Sequence, residues 1–342
     1  MDKTSLSTSE NQAVFAVKTF ANPKLITDIL NIGILALAVI ALAFSPILTK
    51  LSEVELSPTA TIFNRLWIAT AIVSCWQLVK TLGSSPVEQI ESSHSDRQQI
   101  LLFLASCCAT ISAVLWAVSL TQTSVASSTV LRSFTPLFIS LKAWLFLKQR
   151  FSSQFIVGMM LSIAGGIVIG WDDLQLSRDY LIGDCVALLS AALHGVNILI
   201  IGYLRDRDCS TDKILLWRCT AGALIVLPVV YLTDLQMFPS SLQGWLVIVA
   251  LAVVCQTFGQ GLLVHSLKQF SASFVGVFAL LKPAITVLLA WLIFAEDISL
   301  TNGIALVLIL IGIYLAKSND SSTSTRSKPS LQSQKSEVRS QK

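Results

Sequence analysis

Residues 132–150 read RSFTPLFISLKAWLFLKQR, and residues 279–297 read ALLKPAITVLLAWLIFAED. Setting Pro136 on Pro283, an offset of 147 residues, places Leu141 on Leu288 and Ala143-Trp144-Leu145 on Ala290-Trp291-Leu292 without a gap. The coincidences continue outward. Upstream, Ser119 meets Ser266, Leu120 meets Leu267, Ser124 meets Ser271 and Val130 meets Val277. Downstream, Ser152 meets Ser299, Leu161 meets Leu308 and Gly165 meets Gly312. Arg65 in FNRLWIATA and Arg218 in LWRCTAGA extend the echo at a shifted offset of 153. The chain contains a repeat, and everything else is read around it.

Of 342 residues, 54% are hydrophobic and only 13% charged, about half the charge of an ordinary soluble domain. About 20 apolar residues cross a bilayer as a helix. On that measure the chain predicts ten spans, near 30–49, 59–79, 100–120, 124–147, 154–170, 182–203, 214–233, 245–267, 272–295 and 299–316. The expected fold is an all-α polytopic membrane protein of ten transmembrane helices. It comprises an N-terminal arm (1–29), a first five-span unit (30–170), a loop (171–181), a second five-span unit (182–316) and a Ser-rich disordered tail (317–342). The tail, with six Lys/Arg against Asp320 and Glu337, holds the whole net charge of +4. With no structured basic face, nucleic acid is excluded as a partner. The seven cysteines show no metal-ligand spacing, so neither a metal nor a cofactor is expected. The polar start predicts no cleavable leader.

Seventeen Lys/Arg fall on the side of the termini and two, Lys50 and Arg178, on the other. The positive-inside rule therefore puts both ends in the cytoplasm, and a bacterial inner membrane is the expected setting. Five spans is an odd number, so the second copy must enter the membrane upside down. The charges agree: the basic KQR at 148–150 aligns with the acidic AED at 295–297. Inverted repeats are the mark of secondary transporters, which hold substrate near the midplane.

The two copies TPLFISLKAWLFLKQRFSSQFIVGMMLSIAGG and KPAITVLLAWLIFAEDISLTNGIALVLILIG resemble the drug/metabolite transporter superfamily in its ten-helix EamA form. The resemblance covers residues 30–317 and implies a transporter rather than an enzyme. The family usually ends the first helix of each pair with a Gly-Glu turn. Here the second copy keeps Glu296, whereas the first has Gln149 in that place.

Charges within spans are costly and mark function unless they reach the interface. Arg65, Lys142 and Arg218 lie toward span ends and are expected to snorkel. Arg132 and Lys282 lie near the centres of spans 4 and 9, with no carboxylate near any midplane. Ser133 joins Thr129, Pro136 and Ser140 on one face of span 4, and Thr286 follows Lys282 by one turn, so both faces are expected to line a shared aqueous cavity. Pro136 and Pro283 each free a carbonyl and kink their helices, which makes them candidate gating positions. Further candidates for substrate contact are Trp116, His194 with Ser190 and Asn197 on its face, and the pair Gln256 and Gln260. His194 also offers a proton relay. Gly158, Ser162, Gly166 and Gly170 form a small-residue face for close packing inside the bundle, or alternatively for a homodimer.

The expected function is alternating-access transport of a small polar, anionic or carboxylate-bearing metabolite. The alternatives are a proton-coupled exporter of neutral or zwitterionic compounds, and a non-transporting sensor or scaffold. Gly183-Asp184 hints at an intramembrane protease, but no second span supplies the partner aspartate.

Overall fold

The computed structural model describes residues 23–83, 96–122, 128, 131–169, 181–234, 236–294 and 300–317. The tail after Lys317, most of the N-terminal arm, the 171–180 loop, Thr129, Gly170 and the AED turn at 295–297 lie outside them. The described residues are mostly helical, with no strand among them.

The first half comprises α1 (Pro23–Ala43), α2 (Ser45–Ser52), α3 (Pro58–Gly83), α4 (Asp96–Gln122), α5 (Thr135–Leu147) and α6 (Ser153–Ile169). The second comprises α7 (Leu181–Arg205), α8 (Thr211–Thr233), α9 (Leu242–Ala250), a π-helical segment (Leu251–Gly259), α10 (Gln260–Ser266), α11 (Ala272–Phe278), α12 (Leu281–Phe294) and α13 (Leu300–Lys317). Among the described residues, six helical stretches are long and apolar enough to cross a membrane, and four more apolar helices are shorter. This is an integral multi-pass membrane protein. Its outer surface fits that setting, since Trp144, Leu145 and Phe146 are exposed while neighbouring Ala143 is fully buried. A helix apolar all round sheds one face into lipid and packs the other.

Four expectations need correction. The first helix begins at Pro23 rather than near residue 30, and it is interrupted at Phe44. The expected continuous spans over 124–147 and 272–295 are instead broken, at Ser133-Phe134 and at Ala279-Leu280. The stretch over 245–267 contains a nine-residue π segment. Proline chemistry places the two breaks. Pro136 cannot donate to the carbonyl of Arg132, and Thr135 Oγ1 donates to it at 2.7 Å. Pro283 cannot donate to Ala279, whose carbonyl accepts from the Lys282 backbone at 3.1 Å. Each proline thus sits in the first turn of a new helix, where its missing N–H costs nothing.

The repeat is visible in the packing. Ser162 Oγ donates to the Ile309 carbonyl at 3.3 Å across 147 residues, the offset that separates Pro136 from Pro283. Around this pair α6 and α13 cross closely. A Cβ on Gly158 would stand 2.4 Å from the Gly312 carbonyl oxygen, and one on Gly165 would stand 2.8 Å from that of Ala305. Gly165 and Gly312 are repeat partners, and so are Gly158 and Ala305. The other contacts exchange in the same way: α3 packs on α8, and α4 on α7 is matched by α10 on α1. The small-residue face of α6 is therefore occupied within the chain.

At one end of the bundle, the α2–α3 turn is tied to the start of α9. The Glu55 carboxylate accepts from the Ser240 backbone at 3.0 Å, from the Ser241 backbone at 3.2 Å and from both serine hydroxyls. Beside it Thr59 Oγ1 donates to Asp234 at 2.8 Å, and Asn64 Nδ2 to the Met237 carbonyl at 2.7 Å. Phe238 stacks on Trp245, with Phe63 and Trp67 edge-on to it. At the opposite end the links are the ion pairs Lys80–Asp212 and Lys268–Asp208.

The serine donors, led by the Ser241 hydroxyl, hold the Glu55 carboxyl below its ordinary value. A lowered folded-state pKa gives stability that is full above the unfolded carboxylate range and is lost as pH falls through the folded value. Glu55→Gln should therefore melt below the parent at pH 7. The gap between the two melting temperatures should close as the pH is brought below about 4. A gap that stays constant across that titration would mean that the carboxylate charge does no tying.

Candidate functional site

The helix breaks bring polar groups together in the middle of the bundle. Arg132 ends the helical piece before its break, and Lys282 stands in the first turn of α12. Arg132 Nη1 donates to Ser190 Oγ of α7 at 2.8 Å, and its guanidinium lies over the Trp116 ring of α4, 5.2 Å from the centroid. Ser190 in turn donates to the Ser112 carbonyl at 2.8 Å, and Ser112 to the Ser190 carbonyl at 2.8 Å. This reciprocal pair clamps α4 to α7 directly under the arginine. His194, one turn beyond Ser190, lies in electrostatic range of Arg132, Lys282 and Arg218.

Arg65 and Arg218 do not snorkel. Arg218 Nη1 donates to Gln260 Oε1 at 2.9 Å. The Nε of Arg65 is buried with no partner, and its charge acts on Arg132, Arg218 and the thiols of Cys219 and Cys255. Lys142 also turns inward, donating to the Ala192 carbonyl of α7 at 2.6 Å. Position along a span predicted the interface for these residues. The structure instead pairs Arg218 with Gln260 and Lys142 with the Ala192 carbonyl, each on a facing helix. The signal in the sequence was the matched pair Arg65/Arg218 itself.

The other candidates divide. Gln260 joins the site through Arg218. Gln256 is buried and donates to Cys219 Sγ at 3.6 Å. Both glutamines belong to or border the π segment, where Thr257 Oγ1 returns to the Ala252 carbonyl, five residues back. Such segments occur often at functional positions. Asn197, only 1% exposed, has neither amide atom paired among the described residues, and the buried Trp116 Nε1 has no partner among them either.

Ser133 is turned away, its hydroxyl set against Gly166 of α6. Ser140 follows it, donating to Met159 Sδ of α6 at 3.4 Å. Thr286 is tied to the Ala43 carbonyl at 2.9 Å, where α1 is interrupted. Ser140 and Thr286 are thus held by neighbouring helices, and Ser133 lies against Gly166. The break in span 4 shifts the helical phase, and Arg132 no longer shares a face with the residues that follow it. Pro136 packs toward Gly276 of α11, so the two broken helices meet there. Pro283 occupies the corresponding place in α12, one residue beyond Lys282.

Electrostatically the site is one-sided. Among the described residues, no Asp or Glu pairs with Arg65, Arg132, Arg218 or Lys282, since both ion pairs lie at the end of the bundle. The Lys282 ammonium has no hydrogen-bond partner among them, while its backbone amide donates to the Ala279 carbonyl. Two half-helices, α5 and α12, begin just after the breaks, so each has a positive N-terminal end within its span. Among the described residues no group of three or more His, Cys, Asp or Glu converges to hold a metal ion.

This architecture has known counterparts. The EamA-like transporter family matches the chain twice, over residues 30–171 and 181–317. The chain belongs to the EamA-like transporter family. As a member with two EamA repeats, it is 25% identical over 203 residues to an uncharacterized transporter of Clostridium kluyveri, covering 57% of this chain and 64% of that one. The EamA chain thus spans less than two thirds of that relative's length. A solved crystal structure superposes with a TM-score of 0.72 at 17% identity, covering 85% of this chain and 97% of the other, which shows a shared fold.

Proposed function

We propose that this EamA-family chain is a secondary transporter that moves a small polar anion, such as a carboxylate-bearing metabolite, by alternating access. In this reading ten membrane-crossing segments form two inverted five-helix halves, 30–170 and 182–316, with both termini in the cytoplasm. The substrate sits between the halves, held by Arg132 and Lys282, with Trp116, His194, Asn197, Gln256 and Gln260 around it. Pro136 and Pro283 place the hinges. The observation that carries the reading is the set of cations within the spans that have no carboxylate partner among the described residues. Each ion moved out of water costs several kcal/mol, and the missing counter-ion is then the substrate itself. The orphaned amide of Asn197 points the same way, because an unmade buried hydrogen bond costs about 1–3 kcal/mol.

The test is thermal unfolding of the purified protein with panels of small anions, zwitterions, neutral compounds and cations. At a hundred times its dissociation constant a ligand adds about 2.7 kcal/mol, so an anion among them should raise the melting temperature by several degrees. Arg132→Gln should remove that response. Stabilisation by cations, or by neutral and zwitterionic compounds alone, would sink the anion reading and favour the proton-coupled exporter.

A further inference from the structure

We propose that Glu55 is the latch of a gate between the two halves. Seated on the first residues of α9, its carboxylate holds that end of the bundle shut, and each transport cycle breaks and remakes the seat. This rests on the alternating-access part of the reading above and is independent of the charge of the substrate. In the proposed orientation the latched end is the extracytoplasmic one.

The seat is built from both sides. A helix start leaves backbone N–H groups without partners in the helix itself, and α9 meets that need twice. From its own half, Ser241 Oγ accepts from the Gly244 amide at 2.9 Å. From the first half, Glu55 accepts from the Ser240 and Ser241 amides at 3.0 and 3.2 Å and from both hydroxyls. Hydrogen bonds to a carboxylate are among the stronger ones, and a negative charge is favoured at a helix N-terminus. Gly244 completes the seat. A Cβ there would stand 2.6 Å from Glu55 Oε2 and 2.9 Å from its Cδ, so a bare backbone is what lets the carboxylate approach. Glu55 is nevertheless only half-buried and Ser240 is exposed, so water can take over these bonds when the halves part. Such a seat is specific when closed and hydrated when open, which suits repeated release.

The two ends of the bundle differ. At the Glu55 end, residues 55–67 of the first half meet 234–245 of the second. They do so through the Glu55 seat, the bonds Thr59–Asp234 and Asn64–Met237, and the rings of Phe63 and Trp67 edge-on to Phe238. At the opposite end the ion pair Lys80–Asp212 joins the halves with its lysine side chain 63% exposed, and exposed pairs hold little. The repeat gives this difference a meaning. At the offset of 153 that sets Arg65 on Arg218, Glu55 falls on Asp208. Asp208 stands in the equivalent turn at the opposite end, paired at 2.6 Å with Lys268. Of two equivalent carboxylates, Glu55 is seated on a helix of the other half, whereas Asp208 makes its ion pair within its own. In an inverted repeat whose halves exchange roles, the end with the crossing carboxylate is the shut one.

The experiment measures distances across both ends of the full chain in nanodiscs by pulsed electron resonance. Spin labels at Val54→Cys and Leu242→Cys, positions 83% and 78% exposed, report the Glu55 end. A second preparation, labelled at Leu82→Cys and Arg207→Cys, reports the other. Cys75, Cys107 and Cys185 are replaced by alanine, which leaves the four buried cysteines. The parent is compared with Glu55→Gln and with Gly244→Ala. Alanine suits a helix better than glycine, and here it displaces only a flexible carboxylate, so Gly244→Ala tests the latch with α9 intact and the charge kept. Both variants should raise the fraction of a longer distance at the Glu55 end at least threefold, with a matching rise of a shorter distance at the opposite end. Distributions that neither variant moves at either end overturn the latch and leave alternating access standing. Lengthening at the Glu55 end with no shortening at the other overturns alternating access, and the latch with it, because the ends then move independently. Should Glu55→Gln fail to fold, Gly244→Ala decides.

Discussion

Gly158→Leu should leave almost no folded protein. A Cβ at this position would stand 2.4 Å from the Gly312 carbonyl oxygen and 2.7 Å from the Ala316 amide nitrogen, both backbone atoms that no rotamer change can move. The helices α6 and α13 would have to separate, breaking the bond from Ser162 to Ile309 at the centre of the crossing. Overpacking a well-filled interior costs about 1–3 kcal/mol where side chains can adjust, and a clash with two backbone atoms belongs above that range. Gly33→Ala is the control. Nothing lies within 4 Å of a Cβ there, and the glycine is inside α1, so alanine should be neutral or stabilising by about 0.5–1 kcal/mol. The comparison is read by size-exclusion profile and melting temperature in detergent. A monodisperse Gly158→Leu with a parent-like melting temperature would contradict the crossing.

Lys282→Met should raise stability and abolish ligand response together. In the absence of an anion, Lys282 is a half-buried charge within the span, without a counter-ion among the described residues. Replacing buried charges by apolar groups of similar volume is neutral or stabilising, by about 1–4 kcal/mol. Methionine keeps the length of the stem and its fit to irregular gaps. The same change removes an anion-holding group, and losing one partner of a desolvated charge contact costs about 2–5 kcal/mol of binding. The two signs together are the diagnostic. A residue that only packs or only caps its helix would lose stability on substitution, and a substrate residue gains it without ligand and loses the ligand's increment. The measurement is the melting temperature of both proteins with and without the stabilising anion. A lower melting temperature for Lys282→Met in anion-free buffer would assign the lysine a structural role.

How far the sequence reaches can be followed residue by residue. The 147-residue offset predicted which positions correspond, and the bond from Ser162 to Ile309 places two corresponding residues in contact. The small-residue pattern of α6 likewise anticipated close packing within the bundle. Faces were read less well. Ser133, Ser140 and Thr286 look like cavity-lining residues when span 4 and span 9 are drawn as continuous helices. The helix is not continuous, and a break of two residues rotates everything beyond it. Arg65, Lys142 and Arg218 were misread for another reason. Distance to the membrane surface is a property of the sequence, but the direction of a long side chain is set by the helix it faces.

The sequence by itself determined that this chain is a repeated, membrane-embedded helical protein with interior cations, because hydropathy, proline and charge act locally and leave their mark wherever they occur. It took the folded chain to bring Arg132 to Ser190 and Trp116 and Arg218 to Gln260. That depends on where α3, α4, α7, α8 and the two broken helices cross, and on the π segment that sets the phase of Gln256 and Gln260. Crossing points are fixed by contacts such as Gly158–Gly312 and Gly222–Leu66; a small-residue pattern marks a face for close packing, but which helix meets it is a long-range outcome of the fold.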